Sequence, residues 1–286
     1  MCLLALALDT HARFPLVVAA NRDEYYARAT EPLSWWSPGS GLPSVLGGRD
    51  LAAGGTWMGL TAAGRVALLT NIRAPSQHDP DALSRGGIVT DWLSEADDAE
   101  TFWNKVAARR HNGFNLIAGD ASTGRWFWAA NRGIAPIALE RGLHGLSNAE
   151  LDTPWKKVVE LKQRLRESLE VADSVYGLVR RLFDALGDRS LAADAALPDT
   201  GMPRDIERQL SSAFVEMPAR GYGTRSSTLL ITERDDAGER THVFERTYDA
   251  DRSARPRLRR ATLEPWPPRA GSSCTKVLVP AAVVDA

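Results

Sequence analysis

Cys2 carries the sharpest chemistry in this 286-residue chain. Methionine is normally trimmed ahead of a small second residue, which would leave a thiol and a free α-amine on one residue. An α-amine has a pKa of ~8, against ~10.4 for a lysine amine, so far more of it is unprotonated at neutral pH. Such an amine can act as general base for its own thiol, and no catalytic histidine is required. Asn21-Arg22-Asp23-Glu24 follows the apolar run 16–20. If residues 3–8 and 15–20 pair as a hairpin, Asp23 or Arg22 comes close to Cys2. A carboxylate there would hold the α-ammonium, and an arginine would favour the thiolate.

Asn71 and Asn148 each end an apolar strand-like run. An asparagine in that position is ordinarily a turn former. Two such amides facing one nucleophile would instead donate to an oxyanion, where one donor is worth ~3 kcal/mol of barrier. Gly223-Thr224-Arg225-Ser226-Ser227-Thr228 sets Arg225 just before the last predicted hairpin, either as part of a site or as a structural salt bridge.

Other chemistries find little support. The five histidines and two cysteines show no ligand spacing, so no metal is expected. There is no Gly-x-Ser-x-Gly elbow. Gly221-Tyr222-Gly223 lacks the third glycine of a dinucleotide fingerprint, Ser226 standing in its place. A net charge of −1 gives no case for a nucleic-acid or anionic-membrane partner. The apolar opening 2–8 is too short for a signal-peptide core or a membrane span, and two cysteines make no disulfide framework. The expectation is a cytoplasmic protein that takes a small-molecule substrate or ligand and needs no cofactor.

These residues need a scaffold of mixed strands and helices. Strand signals fall at 3–8, 15–20, 44–46, 56–60 and 66–71, and again at 114–118, 125–130, 135–138 and 144–146. Two helices are predicted within 81–110, with a weak spot at Gly86-Gly87. Another follows Thr153 and Pro154, a further one spans 175–183, and a short one lies around 204–214. Residues 228–232 and 241–248 read as a closing hairpin, and Trp35-Trp36 as part of a loop. The order supports an α+β protein with helices on largely antiparallel sheets. Residues 1–250 read as one domain, and 251–286 as an Arg/Pro-rich extension outside the core.

Six blocks in order and spacing resemble the NRDE family of transport and Golgi organisation protein 2 homologues. They are Cys2, Asn21-Arg22-Asp23-Glu24, Gly54-Gly55-Thr56-Trp57, Thr70-Asn71-Ile72-Arg73, Gly145-Leu146-Ser147-Asn148 and Gly223-Thr224-Arg225-Ser226-Ser227-Thr228. That family is similar to N-terminal nucleophile hydrolases of the cholylglycine hydrolase and penicillin acylase kind. The resemblance implies a four-layer αββα sandwich that cleaves linear amides or transfers acyl groups. By it, Cys2 is the nucleophile and Asp23 positions its amine. Asn71 and Asn148 match the active-site asparagines, and Arg225 matches a late active-site arginine. The acylases carry an arginine three residues before the aspartate. Ala20 stands there in this chain, so Arg22 would have to substitute.

Two functions remain open at this level. One is a cysteine amidohydrolase or acyltransferase acting on a small amide or thioester. The other is a non-catalytic binding or trafficking protein for haem or lipid-type ligands, as the resemblance to Golgi-organisation proteins implies. Haem would require an axial ligand from Cys2 or a histidine.

Overall fold

The apolar runs that open the chain form strands buried on both faces, which is why they read as continuous hydrophobic stretches. The structure, a computed structural model, describes residues 3–251, 254–268 and 274–283. Cys2, the candidate nucleophile, lies outside the described residues. β1 (Leu3–Leu8) pairs antiparallel with β2 (Leu16–Tyr25), matching Leu3 to Asn21. β3 (Thr30–Trp36), β4 (Val45–Asp50), β5 (Met58–Thr61) and β6 (Arg65–Asn71) then begin a second sheet. After α1 (Gly86–Ser94) and α2 (Ala99–Ala107), that sheet is completed by β7 (Phe114–Asp120), β8 (Arg125–Ala130) and β9 (Ile134–Ala138).

The chain returns to the first sheet at β10 (Gly142–Leu146), then forms α3 (Lys156–Glu170), α4 (Val175–Leu186) and α5 (Arg204–Gln209). β11 (Glu216–Met217), β12 (Tyr222–Asp235), β13 (Gly238–Thr247), β14 (Arg257–Glu264) and β15 (Thr275–Val283) finish it. The first sheet runs β10-β1-β2-β12-β13-β14-β15, with β11 on β12, and the second runs β3 to β9 in sequence order.

Alternating side chains assign the layers. Leu4, Leu6, Val18 and Ala20 of the first sheet pack on Leu46, Leu60, Leu68 and Ile117 of the second. Their neighbours Leu3, Ala5, Val17 and Ala19 pack on Leu161, Leu165, Leu178 and Leu182 of α3 and α4. On the far side, Leu69, Leu116 and Ala118 meet Ile88, Trp92, Phe102 and Val106 of α1 and α2. The order is therefore helix, sheet, sheet, helix, the expected αββα sandwich. Among the described residues, no helix is long and apolar enough to cross a membrane.

Four local expectations are corrected. β2 does not end at Ala20; it continues through Asn21-Arg22-Asp23-Glu24, because β12 pairs with it as far as Tyr25. Trp35 and Trp36 lie in β3 rather than a loop, and Trp36 Nε1 donates to Gly47 O at 3.1 Å. Gly86 is the start of α1, not a weak spot within a helix. A Cβ on Gly55 would come 2.3 Å from the carbonyl carbon of Gly86, so this close approach needs glycine.

The fourth concerns the stretch expected outside the core. β14 and β15 widen the first sheet, and Trp266 is fully buried with its Nε1 donating to Thr61 O at 2.8 Å. Among and just after the arginines of 257–260, Leu258, Ala261 and Leu263 supply the apolar positions that dock this segment.

Candidate active site

Three strands of different origin deliver the polar residues to one end of the sandwich. Asn21, Arg22 and Asp23 of β2 are buried although they are polar, and the side chains of Asn21 and Asp23 are hydrogen-bonded accordingly. Asn21 Nδ2 donates to Leu186 O and Ala213 O, both at 2.8 Å, and its Oδ1 accepts from Ser227 Oγ at 2.5 Å. Asp23 Oδ1 accepts from Thr224 Oγ1 at 2.6 Å, and the same hydroxyl accepts from Val215 N at 2.9 Å. Leu3, to which Cys2 is joined, is paired with Asn21 beside these residues.

Asn71 ends β6, and Asn148 follows β10 by two residues. Asn148 Nδ2 donates to Asn71 O at 2.9 Å, which leaves the second amide hydrogen of Asn148 for another acceptor. Arg73 holds Asn148 from both directions. Its backbone N donates to Asn148 O at 2.8 Å, and its Nη2 donates to Asn148 Oδ1 at 3.3 Å. Arg73 Nη1 is 2.5 Å from Glu207 Oε2, and Glu207 is buried. Glu207 Oε1 in turn accepts from the backbone N of Thr200 at 3.1 Å and from the Thr200 hydroxyl. The pair is a buried ion pair whose remaining lone pairs are met, the condition under which such a pair is tolerated.

Asp23, Asn71 and Asn148 line one cavity of about 490 Å³ together with Arg73. The rest of its lining is mostly apolar: Met202, Ile206, Leu210 and Met217, together with Tyr25, Tyr222 and the charged Arg220. The cavity thus has a polar end made by three separate strands and an apolar wall made largely by α5 and the segments around it.

Arg22 and Arg225 do not line this cavity. Arg22 points to the other face of β2, as strand alternation requires, and stacks 4.3 Å over the Trp57 ring. Arg225 Nη1 donates to the carbonyls of Tyr25, Tyr26 and Arg28 at 2.9 to 3.2 Å, fastening the turn after β2. Both line a separate cavity between β3 and the inner face of the first sheet. Asn71 and Arg22 also line a third hollow, beside Trp57 and the segment 78–86.

Arg73, Thr224 and Glu207 carry the support of this site but had no assigned role in the sequence. Arg73 and Thr224 sit within motif blocks quoted above, which was the available signal. Glu207 lies in a charged hexapeptide indistinguishable by pattern from a solvated helix face. Among the described residues, no three His, Cys, Asp or Glu side chains come together to hold a metal ion.

Titration separates the regions. Burial pushes the Glu245 carboxyl up to about 7. Burial would raise Asp152 too, but hydrogen bonds from His144, Lys162 and Gly145 N hold it down at about 2. The Asp152 hydrogen bond raises His144, and burial lowers His242.

A family model described as Transport and Golgi organisation 2 matches residues 1–250. The Transport and Golgi organization 2 homolog of Mus musculus is 34% identical over 266 residues, spanning 88% of this chain and 95% of its own. The Homo sapiens homolog is 35% identical, spanning 82% of this chain and 90% of its own. Among solved structures, a Caenorhabditis elegans N-acylethanolamine-hydrolyzing acid amidase ortholog is similar with a TM-score of 0.47 and 11% identity, covering 80% of this chain and 92% of its own.

Proposed function

The chain belongs to the Transport and Golgi organisation 2 family, and from that premise we propose that it is an N-terminal cysteine amidohydrolase or acyltransferase acting on a small linear amide or thioester. The observation that carries this reading is the convergence of Asp23, Asn71 and Asn148, from three strands, on one cavity at the end of β1 where Cys2 joins Leu3. In the proposed mechanism, Cys2 Sγ attacks the substrate carbonyl and its proton passes to the Cys2 α-amine. Asp23 holds that amine in place. The free amide hydrogen of Asn148 and the amide of Asn71 donate to the oxyanion as it forms. The α-ammonium then returns the proton to the leaving group as the carbon–heteroatom bond breaks, leaving a thioester on Cys2. Water completes hydrolysis, or a second nucleophile completes transfer.

The first test is the intact mass of protein made in its own host, together with labelling by an activated acyl ester. Loss of Met1 and a single acyl adduct that is absent from Cys2→Ala are expected. Met1 retained, or folded Cys2→Ala and Cys2→Ser proteins with undiminished turnover, would overturn the mechanism.

A second reading, a binding or trafficking protein on the same fold, draws on the apolar wall of Met202, Ile206, Leu210 and Met217 and on the names of the relatives. It requires that an apolar ligand bind Cys2→Ala and wild type alike with no adduct in either. A titration with haem that leaves its Soret band unmoved would remove the haem version.

A further inference from the structure

Across β2 from the cavity that Asp23 lines, the register of the first sheet builds a second polar floor. Arg22 pairs with Ser226, Ser226 with Thr247, and Thr247 with Arg257, giving one cross-strand row. The next row inward is Thr228, Glu245 and Arg259. One step deeper the same face turns apolar, with Val18, Leu230, Val243 and Ala261 in the core between the sheets. The hydrophobic core therefore stops at Glu245, and a cavity of about 320 Å³ opens above these rows.

The second sheet closes it through an irregularity in β3. The β3–β4 register shifts between Glu31 and Ser34, around Pro32. Leu33 N donates instead to Glu245 Oε1 at 2.6 Å, and Leu33 O accepts from Arg259 Nη1 at 3.1 Å. Both backbone groups are thus spent on holding the floor.

The chemistry of the lining favours an anion. Arg22, Arg225, Arg257 and Arg259 all reach it. Of the acids, Asp249 is taken by Arg257 at 3.2 Å, Glu31 is exposed at the rim, and burial keeps Glu245 largely protonated below neutrality. Ser226 is 5% exposed, and its Oγ is buried with no hydrogen-bond partner among the described residues. Leaving a buried hydroxyl in that state is unfavourable, so native sites that do so usually have a use for it. At ~30 Å³ for each water in the liquid, the cavity holds about ten waters or a molecule of comparable size.

We propose that this cavity is a second ligand site, which takes a carboxylate or phosphate group of a small molecule on Arg22, Arg259 and the Ser226 hydroxyl. The alternation of β2 then gives its polar motif two duties, Asp23 toward one cavity and Arg22 toward the other.

The full chain is titrated calorimetrically below neutrality with inorganic phosphate and, separately, with succinate, against a chloride blank of equal ionic strength. At least one anion binds saturably. Which one binds tells a phosphoryl ligand from a carboxylate, and binding of both marks a site for either oxyanion. Ser226→Ala, which breaks no hydrogen bond among the described residues, weakens binding about fivefold, the worth of one hydrogen bond. Arg259→Met weakens it by more than about tenfold. If Arg259→Met does not fold, Ser226→Ala alone decides. No saturable binding of either anion, or variants that bind as wild type does, would overturn the proposal. Because the titration needs no turnover, its result is independent of the nucleophile proposed above.

Discussion

The two sides of the polar end of β2 are both buried and both charged, yet they hold their charges by opposite means. On the Asp23 side the charges are bonded. Asp23 takes the Thr224 hydroxyl, and Arg73 meets Glu207 at 2.5 Å with Thr200 completing the carboxylate. On the Arg22 side, Glu245 takes one backbone N–H and a hydroxyl at 3.4 Å, while Arg259 and Arg22 act on it only through space. Burial outweighs those contributions, and the carboxyl rises to about 7. A carboxyl opposed mainly by burial changes charge near neutral pH. The first side is built to fix geometry, and the second to respond to its surroundings.

The largest expected effect breaks the bonded side. Glu207→Ala leaves the Arg73 guanidinium with the Trp155 ring 5.0 Å away and Asn148 Oδ1 at 3.3 Å but no carboxylate, and removing one partner of a buried pair costs about 3–5 kcal/mol. Urea unfolding measures it. The double variant Arg73→Met/Glu207→Leu recovers most of the loss, because the uncompensated charge is gone. A Glu207→Ala loss under about 1 kcal/mol would place that side among the weakly coupled surface pairs instead.

Next in size is the pH response of the other side. The ordinary glutamate value is 4.5 and the folded value about 7, so between them the native state holds a proton that the unfolded chain has lost. Stability from Glu245 is therefore complete below the lower value and is lost as pH rises through the upper one. The difference amounts to about 3 kcal/mol at 1.36 kcal/mol per unit. The groups facing it are Leu33 N–H from β3, Thr228 from β12, Arg259 from β14 and Arg22 from β2. Unfolding free energies at pH values spanning that window fall for wild type, and Glu245→Gln flattens this part of the profile.

What the sequence showed of this contrast follows from how local each signal is. β1 and the first half of β2 were legible because strands covered on both faces are continuous apolar runs. Asp23, Asn71 and Asn148 stood out because each closes such a run. The continuation of β2 was not legible, since its polar quartet looks like a turn until its partners are known. Those partners, Leu186, Ala213, Thr224 and Ser227, lie 165 to 206 residues away. Likewise 257–264 reads as an arginine-rich tail because the strand it pairs with, not its own composition, decides that Ala261 and Leu263 are inward. The separation of Arg22 from Asp23 was legible in principle, from alternation alone.

A smaller change sharpens the bonded side. Thr224→Val keeps the shape of the side chain and removes one hydroxyl that both donates to Asp23 and accepts from Val215 N. A buried carboxylate then loses a donor at 2.6 Å and a backbone N–H loses its acceptor. The expected cost is about 2 kcal/mol, near the middle of the range for a buried group left unsatisfied. Thr224→Ser, which restores the hydroxyl, regains most of it in the same unfolding measurement.

The smallest expected effect is the most discriminating. Ser226 of β12 pairs directly with Arg22 of β2 and is buried, as is Thr224 two residues earlier in the strand. Its hydroxyl, however, has no partner among the described residues. Ser226→Ala removes a desolvated polar atom and no hydrogen bond, so stability stays within about 0.5 kcal/mol of wild type, on the stabilising side. One strand thus carries two buried hydroxyls with opposite consequences for folding. A loss of 2 kcal/mol from Ser226→Ala, equal to that from Thr224→Val, would mean the Arg22 side is bonded as fully as its neighbour, and the contrast between the two sides would be lost.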